Sequence, residues 1–568
     1  MRAIICWMVR NMNVMEIYGR HRFLIPSLLL LGIVAGCSSE RAEVDTVLHN
    51  AKVVTLDNAS TIASAVVIDD GHIVAVGGEE LRSQYAAGNS IDLQGRVLIP
   101  GFVDSHTHIR GHPRRFIDLA DTRSIRELRG QVAAKAAELG PGEWITGYGW
   151  SEDVMEEQRR PLRGDLDEAA PRNPVYLERA GGHSTVVNSL ALQVAGIDTS
   201  TPEPEGGVIE RDEAGELNGI IRESMDLVRI YIPAATDEDV RESFAAKLKD
   251  QFRFGITSLV QAEDSIGHYA EWERIYKDNP GSLPRAAVQL AWEGSDAMSG
   301  FGLKTGDGNE NLRVGAIKIF VDGGFTGPAA FTKKPYRGET EYRGKLNLSP
   351  EELRGIIRDA HAAGWQLGIH AIGDAAIELT VDELVMALRD APRGDHRHYL
   401  NHFTVMPSED TMELMAANSI AITQQPNFTY TLEGRYVEYL DGDRLIHNNS
   451  LRTPMEHGIH VAISSDILPI GPMVGIYTAV TRKGMSGATY GQDEESISVA
   501  EALRAYTQLG AWLTFEEHIK GSIEVGKLAD FAVLDRDILT IDPDDISSIR
   551  VDQTWLGGRL VYERAGAE

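Results

Sequence analysis

The stretch PGFVDSHTHI, residues 100–109, places two histidines at the end of a short apolar run. Successive side chains of a β-strand point to opposite faces, so His106 and His108 share one face while Thr107 lies on the other. Two imidazoles that face one core need a metal ion or another polar partner. The stretch therefore predicts a buried strand whose end carries a metal-binding pair, and a merely structural role for the two histidines is the alternative.

Seven more apolar segments follow along the chain and alternate with helical segments. This alternation is typical of a parallel α/β architecture, and eight such strands predict a (β/α)8 TIM-like barrel. Capping boxes at Ser349 with Glu352 and at Ser498 with Glu501 predict the starts of two intervening helices, and Gly364 predicts the end of the first. The further predicted strands are residues 255–263, 284–292, 314–323, 365–373, 397–404, 419–426 and 460–467.

The two ends of the chain share a different pattern of short β-branched runs. VLHNAKVVTLD and AVVIDDGHIVAVG occur near the start, and DFAVLDRD and VDQTWLGGRLVYE occur after residue 520. We expect these ends, residues 38–98 and 521–568, to pair into one composite β-sandwich beside the barrel. Between them, the predicted organisation is the first barrel strand at 99–109, an inserted cap domain at 110–235 and the rest of the barrel at 236–520.

The N-terminal region has the pattern of a secretory signal. Residues 20–37, RHRFLIPSLLLLGIVAGC, join a basic start to an apolar run that is too short to span a bilayer. Val34 to Cys37 resembles the lipobox of bacterial lipoproteins, so residues 1–37 are predicted to be a signal peptide with Cys37 carrying lipid. The alternative is a buried apolar segment. We expect a protein anchored by lipid in the bacterial cell envelope, facing the periplasm or the exterior.

The bulk composition excludes some functions. The chain has 568 residues, 43% of them hydrophobic, which is enough for a large core and more than one domain. Its formal net charge of −29 repels phosphate backbones, so nucleic acid is not an expected partner. The two cysteines, Cys6 and Cys37, are both accounted for by the signal and the lipid, which excludes disulfide or thiol chemistry from the mature protein.

Polar residues recur at the ends of the otherwise apolar strands. Besides the two histidines of the first strand, these are Lys318, His370, His402 and Asp466. Barrel enzymes place their active sites at the C-terminal ends of the strands. The set exceeds one tetrahedral site and favours two metal ions. The alternatives are a lysine that reaches the surface, ordinary core histidines, and an aspartate of a strand-end turn.

Together these motifs resemble the amidohydrolase superfamily, specifically its amidohydrolase-3 (YtcJ-like) branch of metal-dependent hydrolases. The resemblance covers nearly the whole mature chain, and the motifs occur in family order. They are PGFVDSHTH, the Lys318 strand followed by Asp322 and Gly323, HAIGDAAI (370–377), the His402 strand, SSD (464–466), EALRAYTQLGA (501–511) and GKLADFAVLDRD (526–537).

The resemblance implies a ligand set and a mechanism. His106, His108 and Asp466 would bind the first divalent ion and His370 and His402 the second, with zinc expected and manganese or iron as alternatives. Lys318 would bridge both ions as a carbamate formed with CO₂, because an ammonium group has no lone pair to donate. A metal-bridging hydroxide would attack the substrate, and Asp466 would act as general base and then as general acid.

Residues outside this ligand set give a weaker signal. His183, in GGHSTVVNSLAL, resembles a family motif in the inserted domain, although Gly181 replaces the usual acidic residue. Trp150, Arg179 and Arg222 are candidate substrate contacts, with packing and salt-bridge roles as the alternative. Asn401 replaces the glutamate that many relatives place before the histidine, which puts the expected tuning of His402 in doubt.

The sequence thus predicts an amidohydrolase that cleaves a non-peptide carbon–nitrogen bond in a small amide, N-substituted formamide or cyclic imide. One rival is a mononuclear deaminase, or another superfamily hydrolase acting on an ester or phosphoester. A rival of another class is a lipoprotein that binds a small molecule without catalysis. The oligomeric state stays open, a homodimer included.

Overall fold

The computed structural model describes residues 41–566 except for 121, 153–154, 181–183, 205–206, 326–327 and 468–469. The predicted signal peptide and its lipobox, with Cys37, lie outside the described residues. Among the helices of the described residues, none has the length and apolar character that crossing a membrane requires.

Eight parallel strands form the central sheet, as predicted. Each strand pairs in parallel with the next one along the chain. The last strand returns to the first, because Thr107 and Asp466 form a parallel bridge and the Asp466 N–H donates to the His106 carbonyl at 2.8 Å. The predicted barrel is therefore confirmed. Its strands are β1 (Phe102–Thr107), β2 (Ile256–Asp264), β3 (Arg285–Ala291), β4 (Leu312–Phe320), β5 (Leu367–Ala371), β6 (Tyr399–His402), β7 (Ala421–Gln424) and β8 (Val461–Ile463).

Helices surround the barrel, and both predicted capping boxes are present. Ser349 caps the helix Pro350–Ala362, and Ser498 caps the helix Val499–Ala505. Each hydroxyl accepts the N3 backbone N–H while the N3 glutamate accepts the N-cap N–H, which satisfies two unpaired helix-end donors. The other helices of this region are Asp237–Asp250, Ile266–Asp278, Ser295–Phe301, Asp374–Asp390, Glu409–Ala417, Asn427–Thr431, Glu433–Tyr439, Gly442–Ile446, Arg452–Glu456, Pro472–Thr481, Gln492–Glu495 and Gln508–Leu513, with a 3₁₀ turn at Gln251–Phe254.

The two ends of the chain build two sheets that pack on each other. One sheet contains Ala42–His49, Ala65–Asp69, His72–Gly77 and Tyr85–Asp92, and the helix Leu81–Gln84 precedes the last of these strands. The other contains Lys52–Val54, Ile62–Ala63, Val97–Pro100, Phe531–Leu534, Val551–Leu556 and Arg559–Glu563, and the 3₁₀ turn Pro543–Ser548 lies in the connection that precedes Val551–Leu556.

A strand from each end of the chain holds the second of these sheets together. Val97–Pro100 pairs antiparallel with Phe531–Leu534, so residues more than 400 positions apart are neighbours. Leu48 and Val66 of the first sheet share an apolar core with Leu98, Phe531 and Trp555 of the second. This is the composite β-sandwich that the sequence predicts.

A six-stranded sheet lies within the long interval between β1 and β2. Two apolar cores pack against its faces, one of them around Leu128, Trp150 and Leu177. The sheet and its helices are separate from the barrel sheet, as expected for an inserted domain. The strands are Phe116–Asp118, Ile145–Trp150, Val175–Arg179, Ser184–Val187, Val208–Arg211 and Leu217–Arg222, and the helices are Ile125–Leu139, Arg163–Ala169, Ser189–Ala195 and Asp226–Arg229.

Candidate metal centre

The six predicted metal ligands lie at the C-terminal ends of five barrel strands. The rings of His106 and His108 are 5.3 Å apart, those of His106 and His402 are 4.9 Å apart, and those of His370 and His402 are 4.4 Å apart, measured between centroids. The ligand atoms of His106, His108 and Asp466 all lie within 4.8 Å of one another. The barrel therefore brings four imidazoles and a carboxylate into one cluster.

Lys318 lies on the same rim of the barrel. In the ladder between β4 and β5, Lys318 is opposite Gly368. Phe320, two residues later in β4, is opposite His370. The lysine Nζ lies 4.7 Å from the centroid of the Phe320 ring, and that ring is 5.3 Å from the ring of His370. The aromatic ring thus contacts both the amine and the imidazole.

Two of the predicted ligands, His402 and Asp466, have a left-handed backbone conformation. His402 has φ of 82°, Phe403 has φ of 51°, and Asp466 has φ of 58°. Residues other than glycine seldom adopt this region, and strained backbone is concentrated at functional sites. Asn401 and His402 are adjacent in sequence, and both contact buried residues of other parts of the barrel, His106 and Gln425, respectively.

The four imidazoles are neutral in this environment. Burial, and next to it the charge of Lys318, lowers the pKa of His108 to about 4 and the pKa of His370 to about 3. The same burial holds the pKa values of His106 and His402 well below the ordinary value. A neutral imidazole keeps the lone pair that metal binding requires.

Several buried polar atoms of the cluster have no hydrogen-bond partner among the described residues. They are Nε2 of His106, Nε2 of His370 and Nζ of Lys318. Buried polar atoms in proteins are nearly always paired, and an unpaired one costs about 1–3 kcal/mol. Nitrogen and carboxylate donors are those that zinc prefers. The unpaired atoms and the donor set therefore both fit a bound divalent metal.

Lys318 and Asp466 form the charged pair of the cluster. Burial lowers the pKa of the Lys318 ammonium to about 8, although the negative charges of Asp466 and Glu263 oppose this shift. Burial raises the pKa of Asp466 to about 6, against the opposing effect of Lys318. Both groups therefore titrate closer to neutrality than free lysine and aspartate do.

Two buried carboxylates, Asp322 and Asp104, accept hydrogen bonds from the loops of the site and have no role predicted from the sequence. Asp322 accepts the backbone N–H groups of Phe331, Ile372 and Gly373 at 2.9–3.0 Å, which joins the loop after β4 to the loop after His370. Asp104 accepts the N–H of Ser465 at 3.0 Å. Both residues lie in motifs that carry the resemblance to the family. Their position in these motifs is the only sequence feature that could have indicated a role.

Two side-chain amides contact His106 and His402, two of the predicted metal ligands. Asn401 Oδ1 lies 2.8 Å from His106 Nδ1, whereas Gln425 Oε1 lies 2.7 Å from His402 Nδ1. The sequence associates Asn401 with His402, but its hydrogen bond goes to His106 on another strand of the barrel. Gln425 was missed, although it follows β7 at the rim where functional residues are expected.

The proposed substrate contacts lie in the inserted domain. Trp150 is fully buried in its core, and its indole N–H donates to the Leu177 carbonyl at 3.0 Å. Arg179 pairs with Glu152 at 2.7 Å, and Arg222 pairs with Glu210 at 3.0 Å. In the structure these three residues make packing and salt-bridge contacts. His183 lies outside the described residues.

Comparison with known proteins identifies the family of the chain. The model of the amidohydrolase family matches residues 89–562, most of the chain. The chain belongs to the amidohydrolase family. It is 32% identical over 541 residues to the YtcJ protein of Bacillus subtilis, which is named as a putative amidohydrolase, with 91% of this chain and 99% of the relative covered.

Two further similarities concern the sequence and the fold, respectively. The N-substituted formamide deformylase of Arthrobacter pascens is 30% identical over 548 residues, covering 92% of this chain and 99% of the relative. An uncharacterized metal-dependent hydrolase from Pyrococcus horikoshii has the same fold, with a TM-score of 0.66 at 24% identity over 88% of this chain and 99% of its own. The present chain is therefore a hydrolase of carbon–nitrogen bonds, and it has a candidate metal site at His106, His108 and Asp466.

Proposed function

We propose that the protein hydrolyses a non-peptide carbon–nitrogen bond in a small amide, N-substituted formamide or cyclic imide. The observation that carries the proposal is the convergence of four imidazoles, a buried amine and a buried carboxylate at the C-terminal ends of the barrel strands. The similarity over the full length of the formamide deformylase supports the substrate class.

The donor set is large enough for two divalent ions, with zinc as the expected metal. His106, His108 and Asp466 would hold one ion, and His370 and His402 would hold the other. When bound, the ions supply a water of lowered pKa and polarise the scissile carbonyl. Lys318 would contribute as a carbamate, since the amine itself has no oxygen to bridge two cations.

Asp466 is proposed as the residue that moves the proton. Its carboxylate lies 3.6 Å from His108 Nε2, within the cluster, and 7% of the residue's surface remains exposed. Burial raises the pKa of this carboxyl to about 6, close to the pH at which it would work. Such a group can accept a proton from the attacking water and return it to the leaving nitrogen.

The test combines metal content with a panel of substrates. We expect about two metal ions per chain in the purified protein, and turnover of at least one formamide, amide or cyclic imide that is abolished by chelation. His370→Ala should lose both metal and turnover. His460→Ala is the matched control, since His460 is an exposed histidine that stacks on Trp512 just before β8, at the opposite end of the barrel.

Two outcomes would contradict the proposal. A single metal per chain that is unaffected by His370→Ala, with turnover of amino-substituted heterocycles alone, would favour a mononuclear deaminase. A protein that binds small molecules at this site but turns over no member of the panel in its metal-loaded form would favour a non-catalytic role.

A further inference from the structure

The two amides behind the metal cluster have one geometry in common. Each places its oxygen within 2.7–2.8 Å of the Nδ1 atom of a buried histidine. An amide oxygen can only accept a hydrogen bond, so the ring nitrogen facing it must carry the proton. The opposite ring nitrogen, Nε2, then has a free lone pair.

The orientation of the Gln425 amide is determined by its other contacts. Its Nε2 donates to the Thr423 carbonyl at 3.1 Å and to the Ser464 hydroxyl at 2.8 Å. A carbonyl cannot donate, so rotating this amide by 180° would bring two acceptors together and lose the bond. The oxygen therefore faces His402, and the histidine donates from Nδ1.

The orientation of the Asn401 amide follows from the hydrogen bonding of His106. The imidazole is fully buried, and its Nε2 atom has no partner among the described residues. If the proton lay on Nε2, it would have no acceptor, and the Asn401 oxygen would have no donor. With the proton on Nδ1, this N–H donates to the Asn401 oxygen, so the donor and the acceptor are both paired. The unpaired groups that remain are His106 Nε2, with its lone pair, and Asn401 Nδ2.

We infer that Asn401 and Gln425 are positioning residues that hold His106 and His402 in the Nδ1–H tautomer and leave both Nε2 lone pairs for metal. The inference rests on the proposed metal centre. It replaces the association of Asn401 with its sequence neighbour, His402, by a contact across the barrel to the histidine of β1.

The choice of amides has an electrostatic consequence. A carboxylate in either place would add a full negative charge behind a metal-binding imidazole and increase its basicity. A neutral amide fixes the same tautomer without that charge. The ions would then keep more of their positive charge for the substrate carbonyl, at the expense of affinity for the metal.

Metal affinity and the ring tautomer can both be measured without turnover. Competition with a chelator gives the zinc dissociation constants, and the ring nitrogens of ¹⁵N-histidine-labelled, metal-free protein report which nitrogen carries the proton. We expect Asn401→Leu and Gln425→Leu each to weaken zinc binding about 10- to 100-fold. Asn401→Asp, which keeps the acceptor, should bind zinc at least as tightly as the original chain.

The control is Asn173→Leu, which removes a buried amide from the inserted domain. Asn173 Nδ2 donates to the carbonyls of Gly140 and Glu143, so this variant should lose stability without a change in zinc affinity. Folded leucine variants of Asn401 and Gln425 with unchanged zinc affinity would overturn the inference, and so would Nε2-protonated His106 and His402 in the unmodified protein.

If the leucine variants do not fold, Asn401→Asp and the spectra of the unmodified protein decide the question. Weaker zinc binding by Asn401→Asp would contradict the role of the acceptor. If the unmodified protein binds no zinc at all, the proposed function is contradicted. The tautomer spectra would still support or overturn the positioning role in that case.

Discussion

Lys318 should react with CO₂ at neutral pH, because its amine is neutral far more often than that of an ordinary lysine. Burial lowers the pKa from 10.5 to about 8. At pH 7 the neutral fraction then rises from about 1 in 3,000 to about 1 in 10, roughly 300-fold. Only the neutral amine has the lone pair that attacks CO₂.

The pH dependence of this reaction distinguishes a buried amine from an exposed one. With a pKa of about 8, the neutral fraction increases about fivefold from pH 7 to 8 and less than about twofold from pH 8 to 9. An ordinary lysine would give about a tenfold increase at each step. The rate of carbamate formation at a fixed concentration of dissolved CO₂ should follow the first curve.

The assay is reconstitution of metal-free protein with zinc at constant dissolved CO₂. Intact mass under native conditions follows the adduct, and recovery of turnover follows the assembled site. Lys318→Met is the control and should show no adduct at any pH. A rate that still increases about tenfold between pH 8 and 9, or recovery that does not depend on CO₂, would refute the reasoning.

Three other predictions concern the proton shuttle, the support of the barrel and the N-terminus. Asp466→Asn should lower kcat by about 10²- to 10⁴-fold while the melting temperature stays close to that of the original chain; substantial residual turnover would exclude it as the shuttle. Arg285→Met should lower the free energy of unfolding by about 3–5 kcal/mol, because Asp530, 2.7 Å away, is left as a buried unpaired charge. Denaturant unfolding measures this loss, a companion Asp530→Leu should recover part of it, and a loss below about 1 kcal/mol would contradict the argument. Cys37→Ser should move the protein from the membrane to the soluble fraction, and unchanged fractionation would end the lipoprotein interpretation.

The barrel could be predicted from the sequence because each of its strands is a separate apolar run. The strand ends were less predictable, as the last strand shows. The sequence indicates residues 460–467, but the ladder contains only Val461–Ile463. Beyond it, Asp466 has left-handed backbone, which removes it from the regular strand and which no pattern of apolar residues encodes.

The clustering of the proposed metal ligands was predictable for a similar reason, whereas their hydrogen bonds to Asn401 and Gln425 were not. His106, His370 and His402 each stand at the end of an apolar run, where a polar residue is conspicuous. The contact of Asn401 with His106 joins residues 295 positions apart and depends on how β1 and β6 face each other inside the barrel. Local sequence patterns carry no information about such a pairing.

Two hydrogen bonds that join the last barrel strand to the first also position the loop of the proposed site. The Asp466 N–H donates to the His106 carbonyl, and the Ser465 N–H donates to Asp104 on β1, so the loop that carries the proposed proton shuttle also joins the last strand to the first. Left-handed backbone at Asp466 costs roughly 1–2 kcal/mol, and these two bonds oppose that cost. A variant that weakens the junction should therefore displace the carboxylate before it unfolds the chain, since β1 stays paired with β2 and β8 stays paired with β7.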